Sequence, residues 1–410
     1  MTPHPQYPAL CPPCGNFNLA SSKISLPEAL DLEGKTALVT GARINLGYHT
    51  ALRLLRCGAR VISTTRYPRD AEVRYLKEID SAGWSKRLKV VGADFRAAAD
   101  VFQLVSIVQE QVREWGGNLH ILINNAAQTL TDSMEKENEA VNREQQLRLI
   151  RISGFTQLLL GEGYDARVRG GTKASTLLSQ TDNEMFSLQE PDIDKANSQE
   201  ATAINTTSAQ DSSPLVKTHS TSKSSWMQSL HQIPYEDFIS AHSVNTFVPL
   251  ILIRELLPLM GSTKAGSEQP TLFTTKANPL AYIINVTSRE GIFESNPDHA
   301  SKNGKHVHTN LTKAALNMLT ETEAAPAWKE RRVAMNSVDP GYMSAAPEIE
   351  AQWKAGKGKL EMRGECPIGW EDGAGRVLWP IAIGEREGKA VWGRLLKHFG
   401  RVEVNVGAGR

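Results

Sequence analysis

The chain is poor in several features that define whole classes of protein. Its 410 residues include only four cysteines, too few for the disulfide framework of a secreted domain. The 46 basic and 45 acidic residues leave a net charge of +1, which suggests neither a nucleic-acid nor an acidic-membrane partner. No apolar run approaches the roughly 18–20 residues that span a bilayer, and the N-terminus lacks the order of a secretory signal. We therefore expect a cytoplasmic protein without nucleic-acid or membrane partners.

Two short patterns resemble metal-binding sequences without completing them. Cys11 and Cys14 have C-x-x-C spacing, but no second pair of ligands stands nearby. The polar loop at 294–307 carries an aspartate and histidines whose spacing fits no known ligand pattern. We expect no metal site.

Short apolar runs alternate with amphipathic runs of helical period from Leu32 onward. Strands that alternate with helices in this way predict a parallel sheet with helices on both faces, a doubly wound α/β fold. The predicted strands are residues 35–40, 59–65, 88–94, 120–125, 281–286 and 332–338.

One long stretch interrupts this alternation. Residues 128–232 contain a charged helical piece at 135–152, a glycine-rich patch near 161–171 and a polar tract at 198–225. The tract is dense in Ser, Thr, Gln and Asp and has little apolar surface to bury. We therefore expect this insertion to be largely disordered or of low complexity.

A glycine-containing turn, T-G-A-R-I-N-L-G at 40–47, follows the first predicted strand. Gly41 permits a tight turn from strand to helix, and Gly47 lets the helix pack closely. The free N–H groups at the start of the helix can accept a pyrophosphate. Asn45 stands where such turns carry a middle glycine, and asparagine tolerates left-handed dihedral angles better than most residues. The turn therefore predicts a dinucleotide site.

Motifs in a fixed order resemble those of the short-chain dehydrogenase/reductase family. The turn at 40–47 resembles its T-G-x-x-x-G-x-G turn, and N-N-A-A at 124–127 resembles its N-N-A-G element. Asn245 in a helix and Ser288 at the end of a strand match the family's catalytic asparagine and serine. D-P-G at 339–341 resembles the P-G turn that closes over the nicotinamide. The resemblance implies a Rossmann-type fold and an NAD(P)-dependent oxidoreductase acting on a small carbonyl or alcohol substrate.

The resemblance also assigns roles to residues. Ser288 would orient the substrate carbonyl, Asn245 would hold a water that relays protons, and Lys313 would hold the ribose. Asp94 after the third strand would contact the adenine, and Asn125 would stabilise the sheet beside the cofactor. The implied cofactor-binding residues are Gly41, Arg43, Asn45, Leu46, Gly47, Arg66, Asp94, Asn125, Lys313, Pro340 and Gly341.

Charge after the second strand predicts the form of the cofactor. A ribose 2′-hydroxyl is usually held by an acidic residue there, whereas a 2′-phosphate requires a base. Thr65 is followed by Arg66, with Arg69 close by and Arg43 in the glycine turn, and no aspartate ends the strand. We expect NADP(H) to be favoured over NAD(H).

The family's catalytic tyrosine is missing. Its Y-x-x-x-K motif would place the phenol at Thr309, four residues before Lys313. An aliphatic hydroxyl is too weak an acid to replace a phenol directly, because general acid catalysis works best with a pKa near the working pH. Three substitutes stay open: the neighbouring His308, Tyr342 after the P-G turn, and Thr309 relaying a proton from water beside Lys313.

Two functions therefore remain open at this point. The first is an NADP(H)-dependent oxidoreductase with a nonstandard proton donor. The second is a weak or inactive dinucleotide-binding pseudoenzyme that acts as a sensor or scaffold. The resemblance also implies a homo-oligomer formed through the helices around Asn245 and Lys313. The expected organisation is a flexible tail at 1–31, a dinucleotide-binding half at 32–127, the insertion at 128–232, and a second half at 233–410 with the substrate-binding and catalytic elements.

Overall fold

The computed structural model describes most of the chain outside the insertion and several shorter segments. The predicted polar tract and the loop that begins at residue 294 fall wholly or largely outside the described part. The described residues are 2–7, 10–149, 157–169, 228–261, 278–293, 302, 304–343 and 368–403.

The described strands form a nine-stranded sheet with the order β5-β3-β2-β1-β4-β6-β7-β8-β9. Every neighbouring pair is parallel except β8 and β9, which are antiparallel. The doubly wound Rossmann-type sheet predicted from the sequence is thus confirmed. The strands are β1 (Thr36–Val39), β2 (Arg60–Thr65), β3 (Leu88–Gly92), β4 (Ile121–Asn124), β5 (Leu158–Leu159), β6 (Ala281–Val286), β7 (Val333–Asp339), β8 (Leu395–Lys397) and β9 (Gly400–Arg401).

Helices cover both faces of this sheet. Alternate residues of a strand point to opposite faces, so each central strand feeds two cores. In β1, Val39 contributes to the core that includes Leu54, whereas Leu38 contributes to the core that includes Val105. The described helices are α1 (Pro12–Lys23), α2 (Asn45–Arg56), α3 (Pro68–Leu76), α4 (Ala98–Glu114), α5 (Met134–Leu149), α6 (Tyr235–His242), α7 (Val248–Leu256), α8 (Val307–Arg331) and α9 (Trp370–Glu387).

The order of the strands determines where a ligand can bind. From β1 the chain proceeds outward through β2 and β3, and from β4 it proceeds the other way through β6, β7 and β8. The direction therefore reverses between β1 and β4. In open α/β sheets the crevice beyond the carboxyl ends of the strands at such a switch point is the usual ligand site.

The N-terminal segment, predicted as a flexible tail at 1–31, packs against the rest of the protein where it is described. Helix α1 packs against α9. The Tyr7 hydroxyl donates a hydrogen bond to Asp372 at 2.9 Å, and Asn18 accepts one from Arg376 at 3.2 Å. The buried residues of α1 are Gly15, Asn18 and Ser21, which are small or polar. Because the sequence shows no apolar stripe here, its pattern could not predict this packing.

Part of the insertion is built onto the edge of the sheet. The charged helix expected from residue 135 is present as α5, and β5 pairs in parallel with β3. The Glu144 carboxylate accepts hydrogen bonds from the backbone N–H groups of Arg69 and Asp70, at 2.7 and 3.0 Å. These N–H groups belong to the first turn of α3, where a carboxylate is favoured by the helix dipole. The described part of the insertion is therefore anchored and folded.

None of the helices among the described residues combines the length and the apolar character that crossing a bilayer requires.

Candidate active site

A cavity of about 1760 Å³ opens at the carboxyl ends of the central strands. The glycine turn, the ends of β2 and β3, the start of α8 and the P-G turn all line it. Every cofactor-binding residue predicted from the sequence lies in this lining, and so do three of the four predicted catalytic residues: Ser288, Thr309 and Lys313. The exception is Asn245.

The glycine turn has the close backbone approaches that its sequence predicts. Gly41 has a φ of +65°, and a Cβ atom there would lie 2.8 Å from the Cα of Ala126. A Cβ atom at Gly47 would clash with the carbonyl oxygen of Gly41. Asn45 has a φ of +55°, so asparagine does adopt the left-handed conformation at the middle-glycine position. The turn therefore leaves the start of α2, with Leu46, facing the cavity.

Asn125 holds the glycine turn against the neighbouring strand. Its Nδ2 donates to the carbonyl oxygens of Thr40 and Gly41, at 3.0 and 3.3 Å. The Thr40 hydroxyl in turn accepts from the backbone N–H groups of Asn125 and Ala126, each at 3.0 Å. These four bonds connect the ends of β1 and β4, the two strands that flank the switch point.

The basic residues expected to recognise a 2′-phosphate are each paired with a carboxylate. Arg43 forms an ion pair with Asp70 at 2.8 Å, and Arg66 forms one with Glu137 at 3.3 Å. Asp94, predicted to contact adenine, forms an ion pair with Arg96 at 2.7 Å, which lowers the pKa of Asp94 despite its burial.

Arg96, Glu137 and Asp70 were not predicted as site residues. Their role depends on contacts between segments far apart in the chain, and the residues around them form no motif. Arg96 and Glu137 line the cavity itself, whereas Asp70 acts through Arg43.

Asp339 organises the two loops on the opposite side of the cavity. Its carboxylate accepts hydrogen bonds from the backbone N–H groups of Arg289 and Gly341, both at 2.8 Å, and pairs with Lys397 at 3.0 Å. The first of these bonds fixes the loop after Ser288, and the second fixes the P-G turn. The Ser288 hydroxyl accepts from the N–H of Glu290 at 3.0 Å and lines the cavity. Asp339 was visible in the sequence as part of the D-P-G motif, but its role in holding both loops was not.

Lys313 is buried at the inner end of the cavity. Its Nζ donates a hydrogen bond to the carbonyl oxygen of Val286 at 2.8 Å. Burial lowers the pKa of Lys313 to about 8, and the negative charge of Asp339 opposes this shift in part. Lys313 can therefore carry a proton at neutral pH and lose it in the mildly alkaline range.

The residues considered as replacements for the tyrosine lie in different places. Thr309 is buried, lines the cavity, and has no hydrogen-bond partner for its hydroxyl among the described residues. Tyr342 lines the cavity from the loop after β7. His308 is buried outside the lining, with its Nε2 3.2 Å from the carbonyl oxygen of Thr129. Adjacent helical residues point about 100° apart, which accounts for the different surroundings of His308 and Thr309.

Asn245 lies in a short π-helical segment, Ser243–Phe247, between α6 and α7. Its Oδ1 accepts from the backbone N–H of Gln128 at 2.7 Å, and its Nδ2 donates to the carbonyl oxygen of Gln128 and to the Thr312 hydroxyl. The side chain is thus fully used in fastening the chain after β4 to α8, and it does not line the cavity. The predicted role of Asn245 in holding a water that relays protons stays a prediction.

No cluster of three or more His, Cys, Asp or Glu side chains in the described ranges could hold a metal ion. Cys11, Cys14 and Cys57 are free thiols.

Known proteins resemble this chain in sequence and in fold. The short chain dehydrogenase family matches residues 35–159. An uncharacterised protein of Acanthamoeba polyphaga mimivirus is 28% identical over 90% of this chain and 67% of its own length. The chloroplastic NADPH-dependent aldehyde reductase 2 of Arabidopsis thaliana is 34% identical, over 26% of this chain and 41% of its own length. The chain thus matches less than half the length of the plant protein.

A solved structure shows the same fold. The dehydrogenase/reductase of Sinorhizobium meliloti 1021 aligns with a TM-score of 0.50 at 20% identity, over 92% of this chain and 96% of its own. The motif order, the strand order and these relatives agree with one another. Residues 35–159 therefore resemble the short-chain dehydrogenase/reductase family, and the described sheet has the fold of the Sinorhizobium meliloti dehydrogenase/reductase.

Proposed function

We propose that this protein transfers hydride between NADP(H) and a small carbonyl or alcohol substrate. The supporting observation is that Lys313, Ser288 and Thr309 line one cavity together with the glycine turn and the P-G turn. A nicotinamide dinucleotide supplies the hydride, and the chain supplies binding, orientation and a proton.

The residues of the cavity fit such a cofactor. The approach of Gly47 to the carbonyl oxygen of Gly41 leaves no room for a side chain, so the N–H groups at the start of α2 stay accessible to a pyrophosphate. On the other side, Gly341 has a φ of +96°, and a Cβ atom there would lie 3.1 Å from Ile368. Pro340 and Gly341 therefore form a tight turn that can lie against the nicotinamide end.

Positive charge supports NADP(H) as the preferred form. Arg43, Arg66 and Arg96 all line the cavity near the ends of β2 and β3. Guanidinium groups suit a phosphate because they present several N–H donors in a planar fork. The similar Arabidopsis protein bears the name of an NADPH-dependent aldehyde reductase.

For the proton, we propose a path from Lys313 through Thr309. Residues four apart on a helix lie on the same face, so the Lys313 ammonium and the Thr309 hydroxyl face the same part of the cavity. As hydride reaches the carbonyl carbon, the Thr309 hydroxyl gives its proton to the carbonyl oxygen and is reprotonated from Lys313, directly or through one water. Ser288, half-buried at the same cavity, donates a hydrogen bond that orients the carbonyl.

The test is NADPH oxidation by the purified protein with a panel of aldehydes and ketones, in four variants. Thr309→Val should lose about 10²–10⁴-fold in turnover, and Thr309→Ser should keep most of it. His308→Asn, outside the cavity, should retain activity. If Tyr342→Phe loses turnover and Thr309→Val does not, Tyr342 is the donor. Tight NADPH binding without turnover of any substrate would favour the scaffold.

Self-association is also proposed, through the face formed by α6, the π-helical segment and α8, which pack together. Apolar side chains stand exposed on these elements, among them Ile239 at 70%, Phe247 at 61% and Met318 at 62%. Exposed apolar groups of this kind are stabilised by burial against a second copy. Light scattering should show an oligomer that Met318→Glu dissociates.

A further inference from the structure

The adenosine end of the cavity contains a carboxylate contributed by the insertion. Glu137 lies in the first turn of α5, and its side chain is only 4% exposed. It lines the cavity beside Arg66 and Arg96. In a doubly wound fold, the residues that follow the second strand face the adenosine ribose, so the position of Glu137 bears on how that ribose is recognised.

Glu137 binds one terminal nitrogen, Nη1, of each arginine. Its Oε1 lies 3.3 Å from Nη1 of Arg66 and 3.2 Å from Nη1 of Arg96. Its Oε2 lies 3.1 Å from Nη1 of Arg96 and accepts the backbone N–H of Arg169 at 2.9 Å. Burial by itself would raise the pKa of Glu137, but the hydrogen bond from Arg169 and the positive charges of Arg96 and Arg66 leave it lowered. Glu137 is therefore ionised at neutral pH.

This arrangement is that of a phosphate site with a carboxylate in the place of the phosphate. A phosphate monoester presents three acceptor oxygens and a charge of about −1.5 to −2, and guanidinium groups bind it through paired N–H donors. Arg66 and Arg96 each direct one nitrogen, Nη1, at Glu137. A nucleotide with a 2′-hydroxyl brings no anion to Arg66 and Arg96. A 2′-phosphate, in contrast, has to displace the Glu137 carboxylate from the N–H groups of these arginines.

We propose that Glu137 is a specificity-determining residue of the nucleotide site, because its carboxylate competes with a 2′-phosphate for Arg66 and Arg96. The inference rests on the proposed binding of a nicotinamide dinucleotide. The arginines alone would bind a nucleotide with a 2′-phosphate much more tightly than one with a 2′-hydroxyl. Glu137 reduces this difference in affinity. It also links nucleotide recognition to the insertion, which supplies the competing group.

The helix that carries Glu137 is held independently of it. Arg143 of α5 pairs with Asp70 at 2.7 Å, and Glu144 accepts the N–H groups at the start of α3. Replacing Glu137 should therefore leave α5 in place and change only the charge in the cavity.

The experiment compares two adenosine ligands that differ only in the 2′-phosphate. Adenosine 2′,5′-bisphosphate and 5′-AMP are titrated calorimetrically into the full-length protein and its Glu137→Gln variant. The bisphosphate should bind about tenfold more tightly to the variant, because a charge-assisted bond no longer competes, and 5′-AMP should change less than about twofold. Glu135→Gln is the matched control, since Glu135 is exposed on the same helix, and both affinities should stay unchanged.

A double-mutant cycle with Arg66→Gln identifies the group through which Glu137 acts. In the Arg66→Gln background, Glu137→Gln should tighten binding of the bisphosphate by a smaller factor. The reason is that one of the two guanidinium groups for which the carboxylate and the phosphate compete is absent. Should Glu137→Gln fail to fold, Glu137→Asp replaces it, and the withdrawn carboxylate should tighten binding of the bisphosphate by a smaller factor.

Two results overturn the inference in distinguishable ways. If the wild type binds both ligands and the ratio of their affinities does not move in either variant of Glu137, Glu137 has only a structural role and the dinucleotide function stands. If neither ligand binds to the wild type, the proposed nucleotide site fails together with the inference.

Discussion

The ammonium group of Lys313 donates a hydrogen bond to the carbonyl oxygen of Val286, 2.8 Å away. Lys313 lies on α8 and Val286 ends β6, so this bond fastens the helix to the central strand at the carboxyl edge of the sheet. Ser288 follows two residues after Val286 and lines the same cavity. The bond therefore sets the position of the lysine relative to the serine.

Replacing Lys313 by alanine should abolish most turnover. The variant loses the buried ammonium that reprotonates the Thr309 hydroxyl, so kcat/KM should fall by about 10²-fold or more. The measurement is NADPH oxidation with the best substrate of the panel. Lys329→Ala is the control, because Lys329 is exposed near the end of the same helix. Equal rates for the Lys313 variant and the wild type would contradict the proposed role.

The reduction rate should fall as the pH rises through about 8. Burial lowers the pKa of Lys313 to about 8, so the protonated fraction is high below that pH and decreases above it. The measurement is kcat/KM against pH from 6 to about 10. In Lys313→Arg the guanidinium stays protonated across this range, so any residual activity should show no such fall. A wild-type profile that is flat or rising through pH 8 would contradict the assignment.

Gly47→Ala should weaken nucleotide binding and the fold together. An added Cβ would clash with the carbonyl oxygen of Gly41, a backbone atom that cannot move without shifting the whole turn. Overpacking of this kind costs about 1–3 kcal/mol in the free energy of unfolding. Thermal unfolding and NADPH titration measure the two effects. Gly83→Ala is the control, since a Cβ there has open space.

Tyr7→Phe should test the packing of the N-terminal segment. The change removes the hydrogen bond to Asp372 at 2.9 Å and keeps the ring, which lies over the guanidinium of Arg376. The expected loss is about 0.5–1.5 kcal/mol in the free energy of unfolding. Tyr235→Phe, on a residue that is 88% exposed, should have no effect. A tail that did not pack on α9 would make the two variants indistinguishable.

What the sequence could predict is what local patterns determine. The strand over residues 281–286 was predicted because a buried parallel strand reads as a continuous apolar run. The left-handed conformation of Asn45 was also predicted, because it depends only on the residue type and the turn around it. The family motifs located the cavity lining, because their spacing along the chain follows the alternation of strands and helices.

What the sequence could not predict depends on contacts between distant segments. Glu137 is one glutamate in a charged helix, and its importance comes only from its position beside Arg66. Helix α1 buries small and polar residues, so its sequence has no apolar stripe from which its packing could be predicted. The bonds of the Asn245 amide to Gln128 and Thr312 likewise join segments that are distant in the chain, and its motif did not predict them.

The most direct test of hydride transfer is to follow the hydride itself. The purified protein is incubated with NADPH carrying deuterium at both C4 positions of the nicotinamide and with each aldehyde or ketone of the panel, and the alcohol products are analysed by mass spectrometry. The expected product is an alcohol that carries one deuterium, formed by the wild type and formed much less by Lys313→Ala. Bound NADPH with no deuterated alcohol from any substrate would contradict it.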